Sequence, residues 1–245
     1  MTRAPLLEIA VQDPGGARIA FAEGADRIEL CQALEVGGLT PSVGIVQRVI
    51  EATGEAGRVA PLVRPRPGGF VYDPDEVEVV AADIRHLSSL GVGAVVIGCL
   101  TVDGRVDAAT LARWRDAAGP TPIVFHRAID AAADPLAALD TVVAAGVTRI
   151  LTSGGAPRTI DGLDVLRTMV TRADGAVEIM AGGGVRPEDI APLRRAGVDA
   201  VHLSARGRSE DASPSGPGGG ARGYDVTDPD VVRAAAEAVR SRAVS

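Results

Sequence analysis

Four stretches of the sequence share one pattern and decide the fold: GADRIELC (residues 24–31), GVGAVVIG (91–98), GVTRILTS (146–153) and GVDAVHLS (197–204). Each begins with a glycine of the kind that ends a helix and continues into a strand-like run. A recurring unit of this kind, alternating with stretches of helical periodicity, is typical of β/α repeats on a parallel sheet.

Around these four stretches lie four more strand-like runs, so that eight strands alternate with eight helical segments. The predicted strands cover residues 6–11, 27–31, 61–66, 94–99, 122–127, 149–153, 177–182 and 200–205. The predicted helices cover residues 14–23, 42–53, 75–90, 107–118, 134–145, 161–173, 187–196 and 228–243. A chain of 245 residues has the length of one such barrel. We therefore predict an α/β protein, a single TIM (β/α)8 barrel domain over residues 1–245, with a flexible Gly/Ser/Pro-rich loop at about 206–224.

The composition of the chain argues against several kinds of partner and excludes one kind of chemistry. The net charge of −7 and the aromatic content of 2% argue against a nucleic-acid partner. No apolar run is long enough to cross a membrane and the start has no signal-peptide pattern, so we predict a cytoplasmic protein without a membrane partner. The chain contains no lysine, which excludes a Schiff base on a lysine amine.

The repeat also fixes which strand residues face the barrel axis. Side chains alternate between the two faces of a strand, so the fifth and seventh residues after each glycine point inward. These are Glu29 and Cys31, Val96 and Gly98, Leu151 and Ser153, and His202 and Ser204. Cys99 is one residue out of phase and is not expected to face Cys31.

Several charged side chains share this inward face and are the candidate acid and base groups. Glu8, Glu29 and His202 come from three neighbouring strands, and His126 lies at the top of strand five. Carboxylates and imidazoles in a water-poor site can act as general acids and bases. The alternative is a structural ion-pair network, because buried charges need partners whether or not they react.

An anion site is predicted at the ends of the last strands. The segment AGGGVRPED offers Gly182, Gly183 and Gly184 before a helix start near Pro187, and Ser204 follows strand eight. Backbone N–H groups and a helix N-terminus at these loops favour phosphate. Arg64 and Arg66, which share one face of strand three, are the predicted side-chain partners of the anion. The alternative is that the glycines only make the turn.

Cys31 is the candidate metal ligand. A thiol at a strand end is a suitable ligand for a soft metal such as Cu(I). The alternative is an ordinary buried cysteine, since free cysteines are commonly buried.

Several long motifs resemble one known family. They are GADRIELC, GGLTPSVG, VRPRPGGFVYDPDE, TVDGRVD, FHRAIDAAADP, RILTSGG, MAGGGVRPE and VHLSA, in this order over nearly the whole chain, and they are similar to the CutC copper homeostasis family. The resemblance implies a TIM-type barrel, a cytoplasmic location, a homo-oligomer such as a dimer or tetramer, and an association with copper tolerance. It also implies a Cu(I)-binding cysteine pair, of which Cys31 is present and the other is replaced by Ala10. Ala181 stands where the family usually has proline.

Two functions follow as expectations. In the first, the protein serves copper homeostasis and binds Cu(I) weakly through Cys31, with His126 or a partner subunit as a further ligand. In the second, it is an enzyme that acts by acid–base chemistry on a small anionic or phosphorylated metabolite, as a lysine-independent isomerase, epimerase or lyase. A third reading is a barrel that has lost activity and serves as an oligomeric scaffold. Neither function requires an organic cofactor.

Overall fold

Strands and helices alternate along the chain in a computed structural model that describes residues 4–209 and 223–241. The barrel strands are β1 (Leu6–Val11), β2 (Arg27–Leu30), β3 (Val59–Pro61), β4 (Val95–Ile97), β5 (Ile123–Phe125), β6 (Arg149–Thr152), β7 (Glu178–Gly182) and β8 (Ala200–Leu203). The α-helices are α1 (Pro14–Ala22), α2 (Val43–Thr53), α3 (Pro74–Ser89), α4 (Ala108–Ala118), α5 (Pro135–Ala144), α6 (Leu163–Ala173), α7 (Ile190–Ala196) and α8 (Pro229–Arg240).

The eight strands form one parallel sheet in the order β3-β2-β1-β8-β7-β6-β5-β4. A single bridge between Leu62 and Val96 joins the two ends of the sheet. The predicted (β/α)8 barrel is therefore confirmed. In this order β5 lies across the barrel from β1, with β2 and β8 on either side of β1.

Two groups of buried side chains follow the predicted register. Residues such as Ile28, Leu30 and Val201 pack between the strands and the helices. Cys31, Val96, Leu151 and Met180 belong to a separate cluster inside the barrel. Cys99 packs with the outer group, so the predicted separation of the two cysteines is confirmed.

Asp-Pro pairs begin four of the helices. Asp13, Asp73, Asp134 and Asp228 each accept a backbone N–H bond from the first turn, with proline directly after them. The aspartate satisfies an N–H group that has no partner within the helix, and proline fits the first helical position because it needs none. In the described residues no helix is long and apolar enough to span a membrane.

The observed elements differ from the prediction most clearly in strand three and in the loop after strand eight. Strand three was expected over 61–66, but β3 covers Val59–Pro61. Leu62 and Val63 still donate backbone hydrogen bonds to Leu30 and Val96, and this pairing stops before Pro65, which has no N–H group to donate. The predicted flexible loop at 206–224 begins with a strand, β9 (Arg206–Arg208), which pairs antiparallel with β10 (Asp225–Thr227). Residues 210–222 of that loop lie outside the described part of the chain.

Candidate functional site

Glu8, His202 and Glu29 form a chain of acid and base groups on the β1, β8 and β2 side of the barrel. The register pairs Glu8 of β1 with His202 of β8. The Nδ1 of His202 lies 2.9 Å from Oε1 of Glu8, and its Nε2 lies 3.8 Å from Oε2 of Glu29. Period-two alternation along these three neighbouring strands therefore brings together the three residues that it predicted to face inward.

The two carboxylates of this chain have opposite pKa shifts. Burial, reinforced by the charge of Glu8 and opposed by that of His202, raises the pKa of Glu29 to about 7. Burial also tends to raise the pKa of Glu8. The hydrogen bond to His202 and the charges of Arg27, His202 and Arg149 overcome it and lower that pKa to about 2. Two carboxylates whose pKa values differ in this way are suited to different roles in acid–base chemistry.

His202 is the group that links them. Burial lowers its pKa, but the hydrogen bond to Glu8 and the charges of Glu29 and Glu8 outweigh burial and raise it. With Nδ1 fixed by the ionised Glu8, the Nε2 atom faces Glu29 and can exchange a proton with it or with a ligand. Glu29 is therefore the group whose protonation changes near neutral pH.

An ion cluster lies beneath this chain. Arg27 donates to Oε2 of Glu8 at 2.7 Å and also binds Glu178, and Arg149 donates to Oε1 of Glu178 at 2.8 Å. These residues were missed in the sequence, although Arg27, Arg149 and Glu178 each lie two residues before an inward-facing residue of the same strand. The cluster keeps Glu8 ionised and so belongs to the structural network that the sequence left open.

His126 occupies the opposite wall, directly after β5. Its Nδ1 accepts the N–H of Ala128 at 3.1 Å, which leaves the proton of the neutral ring on Nε2. Burial and the charge of Arg64 lower its pKa to about 3, so the ring is neutral. The Nε2 atom is buried and has no hydrogen-bond partner in the described part of the chain. His126 thus offers a fixed N–H donor.

Arg64 lies beside His126 and has no carboxylate partner among the described residues. Its Nη1 donates to the carbonyl oxygens of Val36 and Gly38 at 3.3 and 3.2 Å, and its Nη2 donates to that of Gly68 at 2.7 Å. The Nε atom is buried without a partner. A guanidinium that is 7% exposed and neutralised by no acid favours an anion next to it.

A cavity of about 220 Å³ lies between Glu29, His202, Arg64 and His126. It is lined by Ala10, Glu29, Leu34, Gly37, Leu62, Arg64, Phe70, His126, Arg127, Leu151, Gly183, Gly184, Val185, His202, Ser204 and Arg206. A larger cavity of about 700 Å³ at the amino ends of the strands is lined by residues such as Leu6, Thr148 and Asp199. We place the site in the smaller cavity, since (β/α)8 barrels carry their chemistry at the carboxyl ends of the strands and the unpartnered donors belong to residues that line it.

The glycine loop contributes fewer groups to an anion site than the sequence predicted. Gly183 and Gly184 line the cavity, but an added Cβ at Gly182 would lie 2.4 Å from Leu151, so Gly182 serves close packing. The helix predicted from near Pro187 begins there as a 3-10 turn, Pro187–Asp189, which runs directly into α7 at Ile190. The carboxylate of Asp189 accepts N–H bonds from Arg186 and Arg158 there and opposes an anion at this point.

Arg66 and Cys31 lie away from the cavity lining. Arg66 leaves the barrel with the proline-rich segment and binds Glu76 at the start of α3, with Nη2 to Oε2 at 3.1 Å. Cys31 faces the barrel interior as predicted but is fully buried, and Gly38 covers it. Burial raises the pKa of its thiol well above the usual range. The described residues contain no group of three or more histidine, cysteine or acidic side chains placed to hold a metal ion.

Asp130 is a further residue of the site that the sequence did not single out for a role. Its carboxylate accepts from Oγ1 of Thr152 at 2.6 Å, from N and Oγ of Ser153, and from N of Gly155 at 3.2 Å. It also binds Nε of Arg127 at 2.8 Å. Asp130 therefore ties the loop after β5 to the loop after β6 and holds Arg127 at the cavity. The only signal in the sequence was the short FHRAID and RILTSGG motifs.

These features define a (β/α)8 barrel protein with a small polar cavity at the carboxyl ends of its strands. The model of the CutC family matches residues 5–207, and the chain belongs to this family. It is 42% identical over 200 residues to the CutC family protein of Citrobacter koseri, covering 82% of this chain and 79% of that one. It is 40% identical over 205 residues to that of Mesorhizobium japonicum, covering 83% and 79%.

A solved structure supports the same assignment. The Streptococcus agalactiae CutC, named as a copper homeostasis protein, superposes with a TM-score of 0.77 at 33% identity. The match covers 82% of this chain and 98% of that one. The predicted family is therefore confirmed.

Proposed function

We propose that the protein binds a small anionic metabolite in the cavity and acts on it by acid–base chemistry. One observation carries the proposal: Arg64 and His126 both line the cavity, and each has a buried N–H group without a partner in the described residues. Buried donors are normally satisfied, and an anion supplies both the missing acceptor and the missing negative charge.

Glu29, His202 and Glu8 supply the acid–base chemistry. Glu29 has its pKa near the pH of the cell, as a general base or acid requires. His202 stands behind it as a proton donor or acceptor, and Glu8 is the positioning residue that fixes the imidazole. Since the chain has no lysine, a lysine-independent isomerase, epimerase or lyase remains the class that fits.

A thermal-shift titration with phosphate, acetate and oxalate tests the proposal. Ligands that bind the native state raise the melting temperature by mass action. We expect at least one of these anions to raise it in the wild type and not in Arg64→Met. The matched control is Arg66→Met, which removes a nearby arginine outside the cavity and should respond like the wild type. Equal responses in both variants, or none in the wild type, would refute the proposal.

Copper binding is the second candidate, because the Streptococcus agalactiae relative is named for copper homeostasis and Cys31 is a soft ligand. The described residues do not fit a preformed Cu(I) site, since the thiol is buried and protonated and Ala10 supplies no second sulfur. Competition with a colorimetric Cu(I) chelator decides this candidate. Uptake that is lost in Cys31→Ser supports it, and uptake that is absent or unchanged by the substitution removes it.

We also carry forward two untested expectations, a cytoplasmic location and a homo-oligomer such as a dimer or tetramer. Both are implications of the resemblance to the CutC family. Light scattering on the purified chain measures the oligomer directly, and a monomer at micromolar concentration would contradict the second expectation.

A further inference from the structure

We infer that the metabolite is a 2-oxo carboxylic acid and that the reaction begins with proton removal from the carbon next to its ketone. This inference rests on the proposed function and narrows it to one substrate class. It follows from how the two unpartnered donors are placed relative to each other and to Glu29.

The two donor side chains pack against the same aromatic ring, that of Phe70. The Cζ atom of Arg64 lies 5.2 Å from the centre of the Phe70 ring, and the imidazole of His126 lies 4.9 Å from it. One donor is a cation and the other is a neutral N–H group. A carboxylate next to a carbonyl oxygen matches this pair, because the charged group is placed at Arg64 and the neutral oxygen at His126.

Glu29 lines the same cavity as the two donors and is the only acidic residue that does so in the described part of the chain. Arg64 follows β3, which pairs with β2, the strand of Glu29. His126 follows β5, which lies across the barrel from β1, whereas Glu29 and His202 flank β1 on β2 and β8. In the inferred complex the third carbon of a ligand held at Arg64 and His126 lies next to Glu29, because Glu29 lines the same cavity. The cavity of about 220 Å³ has room for a short chain beyond that carbon.

The proton transfer needs only the ligand and the residues of the site. The C3–H bond breaks and its proton moves to the Glu29 carboxylate, while the electron pair forms the C2=C3 bond. The ketone π electrons move to the C2 oxygen, which accepts a hydrogen bond from Nε2 of His126 and is stabilised by the charge of Arg64. The reverse transfer from Glu29 returns a proton to C3. Because the chain has no lysine, the ketone is activated by hydrogen bonding and charge and not through an imine.

No second carboxylate lines the cavity on the His126 side in the described part of the chain, because Asp130 lies outside the lining and is bound by Arg127, Thr152 and Ser153. The Nδ1 of His126 is occupied by the N–H of Ala128, and Arg127 is bound by Asp130. Proton removal and return therefore occur on one face of the enolate, which distinguishes this site from one that inverts a stereocentre with two opposed bases.

Proton nuclear magnetic resonance in D₂O tests the inference with pyruvate and 2-oxobutanoate as probes. We expect the folded wild type to accelerate deuterium uptake at C3 at least tenfold over the protein-free rate. The Glu29→Gln variant should fall to the protein-free rate while still binding oxalate, and Arg66→Met should match the wild type. Oxalate, which resembles the enolate of pyruvate, should bind more tightly than acetate.

The outcomes separate this inference from the proposed function. Binding of oxalate and pyruvate without accelerated exchange would overturn the inference and leave the anion site intact. Exchange that persists in Glu29→Gln would overturn the assignment of the base. Loss of all anion binding in the wild type would overturn the proposed function as well.

Discussion

Glu29 and Glu8 show at the residue scale how one histidine can hold two carboxylates in different states. Both are buried in the same barrel, yet the pKa of Glu29 is about 7 and that of Glu8 is about 2. The difference comes from partners, since Glu8 is bound by Arg27 and His202, whereas among the described residues Glu29 has only His202, at 3.8 Å. Strand alternation predicted that these side chains face inward. It could not predict which of the two carboxylates would be ionised, because that depends on Arg27 and Arg149 from other strands.

Glu29→Gln should change how stability depends on pH. The native state binds a proton at Glu29 more tightly than the unfolded chain, so the free energy of unfolding of the wild type falls as pH rises from about 4.5 to about 7. The glutamine variant has no titrating group at this position, so its free energy of unfolding should not show this decrease. Relative to the wild type, that free energy should rise by up to about 3 kcal/mol across the range. Urea unfolding at pH 5 and pH 8 measures the difference. A constant difference would show that Glu29 titrates normally.

At the scale of elements, β4 and β5 together set the position of His126. Gly98, directly after β4, has no side chain, and an added Cβ would lie 2.4 Å from Cε1 and Nδ1 of His126 and 2.9 Å from the Cβ of Ala128. Sequence alternation placed Gly98 inward but does not determine the orientation of the His126 ring. The structure settles it through the hydrogen bond from Ala128 to Nδ1, a contact within a 3-10 turn that strand periodicity does not describe.

Gly98→Ala should therefore displace His126 and weaken anion binding. The steric clash costs about 1–3 kcal/mol of stability, typical of overpacking, and moves the unpartnered donor. Gly57→Ala is the matched control because nothing lies within 4 Å of its added Cβ. Thermal melts with and without oxalate compare the two variants. If Gly98→Ala kept the oxalate response of the wild type, the donor role of His126 would be wrong.

At the scale of the whole molecule, charged residues run through the barrel interior beneath the cavity. Glu178, Arg27, Arg149 and Glu8 connect the amino ends of the strands to His202. The fold and the element order were predictable because they depend on local periodicity repeated eight times. The anion site was only partly predictable. Arg66 was a candidate in the sequence but is bound by Glu76, and the helix start near Pro187 carries the carboxylate of Asp189, which repels an anion.

Glu8→Gln should destabilise the whole barrel. It removes a buried negative charge and leaves Arg27 with Glu178 alone, and loss of one partner of a buried pair costs about 3–5 kcal/mol. The control is Glu51→Gln, which breaks the exposed pair with Arg48 and should change the free energy of unfolding little. Chemical denaturation of both variants at pH 7 measures this. Equal stabilities would mean that the interior ion cluster does not support the fold.

The most direct test of the central claim is a crystal structure of the protein soaked in selenate, whose anomalous scattering locates the anion. We expect a peak in the cavity within about 3.5 Å of Nε of Arg64 or Nε2 of His126, and no such peak in crystals of Arg64→Met. A peak only at the glycine loop near Gly184, or an equal peak in the variant, would contradict an anion site built on Arg64 and His126.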